Sequence, residues 1–423
     1  MYRIAMISTH TCPLAMLGGK STGGMNVYVR DLSRELGRRG IAVDVFTRQQ
    51  NPDLPRVNHR LGINCRVIHL PAGPVKPYDK NQMFHHLPEF VDGIVAFAEE
   101  ERLTYHALHS HYWLSGWVAL ALRKRWGTPV IQMFHTLGRM KNSVAQRAAE
   151  RESDLRIRVE TEIMAQADRL VAATPLERTQ MAWLYGADPA KIEVIPCGVD
   201  VNLFRPIPPL EARQSIGLPA NGQMVLFVGR IEPLKGIDTL LRAMALVARH
   251  FPRWQERLCV SIIGGDPASE PAAVNQEMER LKQLRAELGI GDLVVFLGAQ
   301  DQDMLNLYYS AAEVLVMPSH YESFGMVALE AMACGTPVIA SRVGGLAFTV
   351  QNGVTGFHVP HRDPAALAAK VSLLLCDAEL RGQLGQQATR WAQRYSWPTV
   401  TNQIVALYAR IFSQKSLACL ACS

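Results

Sequence analysis

The sequence lacks an apolar run long enough for a membrane-spanning helix. Such a helix needs about 20 consecutive apolar residues, and Arg, Glu, Gly or Pro interrupts every candidate stretch. Met1 leads directly into a strand-like segment at residues 2–8, without the charged and apolar regions of a secretory signal peptide. These absences argue against an integral membrane protein, and we expect a cytoplasmic one.

Paired cysteines and clustered charges are also missing. The eight cysteines are scattered along the chain, which excludes a small disulfide-stabilised module. Cys419 and Cys422 have CxxC spacing, but without a second pair or a nearby histidine they indicate a frayed tail rather than a metal site. The net charge of +6 is modest and the arginines are dispersed. We therefore expect no nucleic-acid partner, whereas a small anion is compatible with this charge.

Length and composition predict two folded domains. A chain of 423 residues exceeds what one hydrophobic core usually organises. A β-rich apolar run followed by an amphipathic stretch recurs along it, which is typical of βα units that build parallel sheets. The predicted strands are 2–8, 41–47, 65–70, 107–111, 130–134, 169–173 and 192–195, then 224–228, 258–263, 294–297, 314–317, 338–341 and 356–359. This pattern predicts an α/β protein with two Rossmann-like, doubly wound parallel-sheet domains.

A proline-rich stretch at residues 196–222 separates the two sets of strands and is interpreted as an interdomain linker. We accordingly place one domain at 1–205, a second at 206–395 and a C-terminal helix at 396–423. This helix can pack on either domain, including back on the first, through Val400, Ile404, Leu407, Tyr408 and Ile411. Ligands of open α/β sheets bind beyond the carboxyl ends of the strands, so we expect the site in the cleft between the domains.

A glycine-rich turn follows the first predicted strand and reads LGGKSTGGMNVY at residues 17–28. Gly23 and Gly24 open a helix, where backbone N–H groups can receive an anion. A turn that needs positive φ explains these glycines equally well. The order of Lys20-Ser21 and the glycines excludes a Walker A loop, and the spacing is not that of a dinucleotide fingerprint.

The second set of strands opens with FVGRIEPLKG at residues 227–236. Its first strand brings Arg230 and Lys235 into the following turn, where two cations can neutralise a diphosphate. A solvated turn is the alternative, but the neighbouring Gly229 and Gly236 favour ligand binding.

The segment HYESFGMVALEAMACGTP at residues 320–337 contains two carboxylates, Glu322 and Glu330. In one continuous helix they would lie about 12 Å apart along the axis. Glycosidase carboxylates stand about 5–9.5 Å apart, so this pair better suits an elongated ligand. One carboxylate can bind a sugar and the other a ribose, with the amides of residues 323–326 facing a diphosphate between them. Alternatively, Glu322 caps the helix and Glu330 is an ordinary helix acid.

Together these motifs resemble the family-4 retaining glycosyltransferases, which have the GT-B fold, and the resemblance covers essentially the whole chain. The sequence features that carry the resemblance are Glu322-x7-Glu330, Gly229-Arg230, Lys235 and Gly23-Gly24. The stretches GGMNVY at 23–28, HSHYWLSG at 109–116 and HTL at 135–137 are still more similar to the branch that transfers N-acetylglucosamine to inositol phosphate. Sucrose-phosphate synthases form the neighbouring branch.

The resemblance implies a role for each matching residue. Arg230 and Lys235 would stabilise the departing diphosphate, Glu322 would hold the transferred sugar, and His135 would lie close to the reacting sugar. These four are the expected catalytic residues. The expected donor-binding residues are Gly23, Gly24, Arg230, Lys235, Glu322, Ser323, Phe324, Gly325, Met326 and Glu330, with Glu330 on the ribose. The expected acceptor-binding residues are Asn26, Lys80, Tyr112, Thr136 and Arg156, of which the last four would surround the acceptor phosphate.

A phosphorylated acceptor needs cations in the first domain, and Lys80 and Arg156 supply them. Taken singly, Lys80 and Arg156 would each be interpreted as a solvated surface charge. His135 taken singly would be interpreted as a histidine at a strand end whose hydrogen bonds are made within the protein. The loop 138–154 and the Ser21-Thr22 pair both differ from the inositol-phosphate branch.

The resemblance implies transfer of a sugar, with retention, from a nucleotide sugar to a hydroxyl of a phosphorylated polyol or sugar. UDP-N-acetylglucosamine and inositol phosphate are the preferred pair, and sucrose-phosphate synthesis or glycan extension are alternatives. We expect no cofactor or metal, because Asp301 and Asp303 of the DxD sequence precede a predicted helix at 304–312 and fit N-capping. A nucleotide-sugar epimerase and a non-catalytic nucleotide-sugar binding module remain as other classes, and a homodimer is compatible with the sequence.

Overall fold

The computed structural model describes residues 2–15, 23–76, 79–251, 257–265 and 272–421, without the side chains of 80, 149, 272–275 and 414–421. The chain divides into two compact units. The first takes in the described residues of Met1–Ala15, Gly24–Cys197 and Trp397–Ser423, and the second those of Met16–Gly23 and Gly198–Ser396.

The first unit contains an eight-stranded sheet of order β3-β4-β2-β1-β5-β6-β7-β8. Its strands are β1 (Arg3–Ile7), β2 (Ala42–Arg48), β3 (Val57–Gly62), β4 (Cys65–Leu70), β5 (Ala107–His111), β6 (Val130–Met133), β7 (Arg169–Ala172) and β8 (Ile192–Val194). Each strand predicted in this half is present. The prediction missed β3, an antiparallel edge strand in which only one of six residues is buried. It therefore lacks the apolar run that marks a buried parallel strand.

Helices surround this sheet and bury an apolar core against it. They are α1 (Gly24–Arg38), α2 (Lys80–Met83), α3 (Leu87–Glu100), α4 (Tyr112–Trp126), α5 (Gly138–Val144), α6 (Asp154–Gln166) and α7 (Pro175–Tyr185), with 3-10 turns at Phe84–His86, Ala148–Glu150 and Pro189–Lys191. Helix α4 begins directly after β5, and α5 follows β6 closely. The residues between these strands and helices therefore lie at the carboxyl edge of the sheet.

The second unit contains a six-stranded parallel sheet of order β11-β10-β9-β12-β13-β14. Its strands are β9 (Gln223–Val228), β10 (Leu258–Ile263), β11 (Val294–Gly298), β12 (Val314–Met317), β13 (Val338–Ser341) and β14 (Gly356–Val359). Its helices are α8 (Pro209–Ser215), α9 (Ile237–His250), α10 (Ala272–Glu287), α11 (Gln302–Ala311), α12 (Met326–Ala333), α13 (Leu346–Thr349), α14 (Pro364–Cys376) and α15 (Ala378–Ala392), with 3-10 turns at Pro233–Lys235 and Gln393–Tyr395. The prediction of two doubly wound parallel-sheet units is confirmed.

The interpretation of 196–222 as a linker is wrong for most of its length. Residues from Gly198 onward belong to the second unit, and α8 within them buries Ala212 against Met224 and Ala311. Arg213 donates a hydrogen bond to the Ala311 carbonyl at 3.2 Å. Two of the prolines that suggested a linker, Pro208 and Pro209, instead start this helix, because proline is well tolerated in a first helical turn.

The C-terminal helix α16 (Trp397–Ala421) belongs to the first unit, where it packs against α1. The five residues predicted to share its apolar face are all buried. Arg39, directly after α1, donates to the Pro398 carbonyl at 2.8 Å. Among the described helices, none is long and apolar enough to cross a membrane.

Candidate functional site

In the second unit, two of the three predicted catalytic side chains, Lys235 and Glu322, lie in contact. Lys235 ends the 3-10 turn after β9, and Glu322 follows β12, the neighbouring strand in the sheet. Lys235 Nζ donates to Glu322 Oε2 at 2.5 Å, and the two side chains are only 18% and 15% exposed. The predicted diphosphate cation is therefore held in place by the predicted sugar-binding carboxylate.

Arg230 lies between β9 and the Lys235 turn and is more exposed. Its guanidinium forms an ion pair with Glu232 at 2.8 Å. Gly23 lies beside it, since a Cβ atom built on Gly23 would stand 3.9 Å from Arg230 Nε. Residues 16–22 of the glycine-rich turn are outside the described residues. Gly23 is thus placed with the predicted donor cations, whereas Gly24 starts α1 in the first unit.

Glu322 does not lie in the helix that carries Glu330. Helix α12 begins at Met326 after Gly325, whose φ of +92° is in the left-handed region. Ser323 and Phe324 are in the loop before it, so the spacing expected for one continuous helix is wrong. The role of helix cap is also excluded for Glu322, because Gly325 takes the N-cap position. The loop instead brings Glu322 to Lys235.

Three close backbone contacts that the sequence did not reveal hold the strand-end loops together. A Cβ atom on Gly236 would lie 2.1 Å from the Pro318 carbonyl oxygen, and one on Gly344 would lie 2.0 Å from that of Glu322. A Cβ atom on Gly264 would come within 1.8 Å of the Gly229 oxygen. Only glycine fits at these positions. For Gly344, the available signal was the Gly-Gly pair at 344–345, which begins three residues after the predicted strand 338–341.

Glu330 is buried in α12 and accepts a hydrogen bond from the Tyr309 hydroxyl of α11 at 2.7 Å. Burial, reinforced by the Glu330 carboxylate, raises the pKa of Tyr309 far above its ordinary value, so this tyrosine remains a donor. Glu330 is therefore oriented by a protein partner. Two serines lie at the ends of neighbouring strands, Ser319 just after β12 and Ser341 at the end of β13. Their hydroxyl groups are buried and have no hydrogen-bond partner among the described residues.

In the first unit, the predicted His135 belongs to a cluster of histidines at the ends of β5 and β6. His135 Nε2 and His111 Nδ1 are 2.9 Å apart, and the Tyr28 ring meets the His135 ring edge-on. His135 and Tyr112 have φ values of +61° and +76°. Such strained backbone in non-glycine residues is concentrated at functional sites. Burial lowers the pKa of His135 to about 3, so its imidazole is neutral at physiological pH.

We expect His109→Gln to reduce the loss of stability on acidification. His109 is fully buried beside the Tyr408 hydroxyl, and burial lowers its pKa from 6.5 to about 3. Between pH 6.5 and about pH 3, residue 109 binds a proton in the unfolded chain but not in the folded chain. The free energy of unfolding therefore falls as the pH decreases. Unfolding midpoints at about pH 7.5 and about pH 5 measure this loss. The exposed-site variant His59→Gln should keep the wild-type loss, and an equal loss in His109→Gln would contradict the expectation.

Arg156 is not a solvated surface charge, because its side chain is completely buried. Its guanidinium donates to the Tyr112 hydroxyl at 2.9 Å and to Thr136 Oγ1 at 3.0 Å. Burial alone would lower the pKa of Arg156, but Tyr112 and the carboxylates of Glu160 and Glu152 outweigh it and raise the pKa. Three of the predicted acceptor residues therefore meet at one guanidinium.

The structure describes the other two predicted acceptor residues, Lys80 and Asn26, to different extents. Lys80 begins α2, and its side chain is outside the described part. Asn26 in α1 donates to Thr11 Oγ1 at 2.6 Å and to the Cys12 carbonyl at 2.7 Å. These bonds fix the segment that leads into the glycine-rich turn.

The predicted capping role of the DxD sequence is partly realised. Asp301 takes the N-cap position of α11, which begins at Gln302, but its side chain makes no capping hydrogen bond. Within the described residues there is no group of three or more His, Cys, Asp or Glu side chains that could hold a metal ion. The Cys419 side chain and Cys422 are outside the described part of the chain.

Comparison with known proteins decides the family. Residues 22–203 match the family "Glycosyltransferase Family 4", and residues 210–391 match "Glycosyl transferases group 1". The D-inositol 3-phosphate glycosyltransferase of Acidothermus cellulolyticus is 42% identical over 98% of this chain and 92% of its own length. The chain belongs to glycosyltransferase family 4. The D-inositol 3-phosphate glycosyltransferase of Thermomonospora curvata is 41% identical over 96% of this chain and 95% of its own length.

Solved structures agree with this family-4 assignment. The sucrose-phosphate synthase of Thermosynechococcus elongatus superposes with a TM-score of 0.88 at 38% identity, covering 98% of this chain and all of its own. Anabaena HepE in complex with UDP and glucose superposes with a TM-score of 0.76 at 21% identity, covering 97% of this chain and all of its own. At this identity the likeness supports the fold alone. The predicted GT-B fold and family are confirmed. The chain is thus a glycosyltransferase, which sets aside the epimerase and the non-catalytic module.

Proposed function

We propose that this glycosyltransferase transfers N-acetylglucosamine from UDP-N-acetylglucosamine to a hydroxyl of inositol phosphate, with retention of configuration. The observation that carries the acceptor class is the identity of about two residues in five with D-inositol 3-phosphate glycosyltransferases over nearly the whole chain. The partners in this proposal are a nucleotide sugar and a small phosphorylated acceptor in the cytoplasm, without nucleic acid or a membrane.

The donor role of the second unit is supported by the charge placed at its strand ends. Departure of a nucleotide diphosphate leaves an oxocarbenium-like sugar and adds negative charge to the phosphate. Lys235, Arg230 and the amides at the start of α12 are the groups that we assign to this charge, and such fixed stabilisation is usually the largest catalytic contribution. Glu322 would then bind the sugar, and Glu330 the ribose.

Retention requires that the acceptor attack the face from which the diphosphate leaves. We assign the acceptor's proton to an oxygen of the departing phosphate, which makes a nucleophilic carboxylate unnecessary. His135, with its lowered pKa, would be a neutral hydrogen-bonding partner of the transferred sugar rather than a cation. Neither step needs a metal, so EDTA should leave the activity unchanged.

The acceptor role of the first unit is supported by the meeting of Tyr112, Thr136 and Arg156. An arginine that holds two hydroxyl groups beside it is well suited to recognise a phosphate. Lys80 would add a second cation. Lys80→Ala should raise the KM of the phosphorylated acceptor far more than that of its unphosphorylated analogue, and an equal effect on both would contradict a phosphate-binding role.

A matrix of nucleotide sugars against acceptors, followed by mass spectrometry and carried out with and without EDTA, tests the proposal. UDP-N-acetylglucosamine with inositol 3-phosphate should give the best turnover and an α-linked product. Fructose 6-phosphate is the second candidate acceptor, because the sucrose-phosphate synthase superposes closely at 38% identity. Sucrose phosphate as the preferred product would replace the proposed acceptor. Turnover only with unphosphorylated glycans as acceptors would overturn the proposal of a phosphorylated acceptor.

A further inference from the structure

The guanidinium of Arg156 is shared by two carboxylates, Glu160 and Glu152. Its Nε atom donates to Glu160 at 2.7 Å, and its Nη1 atom contacts Glu152 at 2.9 Å. Lys141 of α5 donates to the same Glu152 carboxylate. Two cations and two carboxylates thus balance in charge at the place where the proposed acceptor phosphate would bind. An incoming phosphate would meet these four side chains as a neutral group, to which Lys80, whose side chain is outside the described part, would add one positive charge.

The two carboxylates are held very differently. Glu160 is fully buried in α6 and accepts hydrogen bonds from the Gly138 amide at 3.0 Å and from the Tyr185 hydroxyl, in addition to Arg156. A carboxylate with a backbone amide, a tyrosine and an arginine around it is a fixed counter-ion. Losing it would leave several buried donors unsatisfied, which is costly.

Glu152 is not in a helix but in the segment just before α6. Its carboxylate is held by Arg156 and by Lys141, whose side chain is 22% exposed and can follow a moving partner. The Glu152 main chain is fixed separately, because its amide donates to Asn142 Oδ1 at 2.7 Å and its carbonyl accepts from Asn142 Nδ2. The backbone of Glu152 is therefore held independently of its carboxylate, whose side chain is 6% exposed.

The Glu152 carboxylate also takes the contacts that a phosphate would take. It shares Arg156 Nη1 with the Tyr112 hydroxyl, while Nη2 of the same guanidinium holds Thr136 Oγ1. A carboxylate between a guanidinium and an ammonium uses the same charge-assisted hydrogen bonds as a phosphate oxygen pair. The two anions cannot occupy these donors together without strong repulsion.

We propose that Glu152 occupies the acceptor-phosphate position in the unliganded enzyme, and that the phosphate must displace it. This inference rests on the proposed function. Glu152 then determines specificity: it lowers the affinity for phosphate-bearing ligands in general, and only an acceptor whose remaining contacts offset the displacement binds well. Lys141, released from Glu152, becomes a further cation for the phosphate.

Calorimetric binding of three probes tests this role: inositol 3-phosphate, inorganic phosphate and unphosphorylated inositol. Glu152→Gln should bind both phosphate-bearing probes about 3- to 10-fold more tightly than wild type, because a competing charge has been removed. Its affinity for inositol should not change. Glu162→Gln removes the same charge from an exposed position on α6 and should behave as wild type. Unchanged or weaker binding of phosphate-bearing probes to a folded Glu152→Gln would overturn the inference.

A crystal structure of the wild-type enzyme with inositol 3-phosphate supplies a second test that needs no variant. The phosphate oxygens should contact Arg156 and Lys141, with the Glu152 carboxylate moved off both. A phosphate bound there while Glu152 keeps its 2.9 Å contact would overturn the inference. If wild type does not bind inositol 3-phosphate but Glu152→Gln gains affinity for inorganic phosphate, the acceptor proposal fails and the role of Glu152 stands. If wild type binds inositol 3-phosphate but Glu152→Gln gains no affinity for either phosphate-bearing probe, the acceptor proposal stands and the role of Glu152 fails.

Discussion

Lys235→Ala is expected to lower kcat/KM for the nucleotide-sugar donor by about 10²–10³-fold, as measured by steady-state kinetics. The Lys235 ammonium is the least exposed cation of the proposed diphosphate site and is already oriented by Glu322 at 2.5 Å. Its charge therefore acts on the departing phosphate without a large rearrangement. Removing it also leaves the Glu322 carboxylate without its cation, next to a ligand that becomes more negative as the reaction proceeds.

The control for this variant is Lys282→Ala in the same unit. Lys282 lies in α10, is 45% exposed and pairs with Glu279 at 2.7 Å, so its loss should change kcat/KM by less than about twofold, because exposed ion pairs contribute little. A Lys235→Ala enzyme that folds normally and retains activity within a few-fold of wild type would remove Lys235 from the catalytic residues.

Arg156→Met is expected to lower the free energy of unfolding of the first unit by about 3–5 kcal/mol. Arg156 is completely buried and is the common cation of Glu160 and Glu152. Methionine preserves much of the side-chain volume but leaves a buried carboxylate without compensation. Urea unfolding followed by circular dichroism measures the change, and the acceptor KM is measured in parallel where the variant remains folded.

Two further variants separate charge from packing in that result. Arg158→Met changes an exposed arginine on the same helix and should alter the unfolding free energy by no more than about 0.5 kcal/mol. The double variant Arg156→Met/Glu160→Gln should recover part of the lost stability, because the uncompensated charge has also been removed. A double variant with a strictly additive loss would show that packing, rather than the buried ion pair, makes Arg156 important.

The parallel strands were predictable from sequence because a strand buried on both faces is a continuous apolar run. Strands β4, β5, β10, β12, β13 and β14 have the predicted limits, and the other predicted strands differ by a residue at one or both ends. The edge strand β3 lacked this signal because only one of its six residues is buried. Helix α8 was missed because its prolines were taken as signs of an extended linker.

The sequence could suggest candidate site residues but not the environment of each. Sequence spacing could suggest Lys235 and Glu322, but not that a loop bends before α12 and brings them together. The buried state of Arg156 could not be predicted, since its two carboxylates lie four residues away on either side in an ordinary-looking charged stretch. The close approaches at Gly236 and Gly344 depend on neighbouring strands that only the sheet order brings side by side.

The crystal structure of the enzyme with UDP-N-acetylglucosamine tests the central claim most directly, namely that the second unit holds the donor diphosphate. We predict that the diphosphate lies within hydrogen-bonding distance of Lys235, Arg230 and the amides at the start of α12, with the ribose hydroxyls on Glu330. A diphosphate bound elsewhere, with Lys235 still paired only to Glu322 and Arg230 in solvent, would contradict the account.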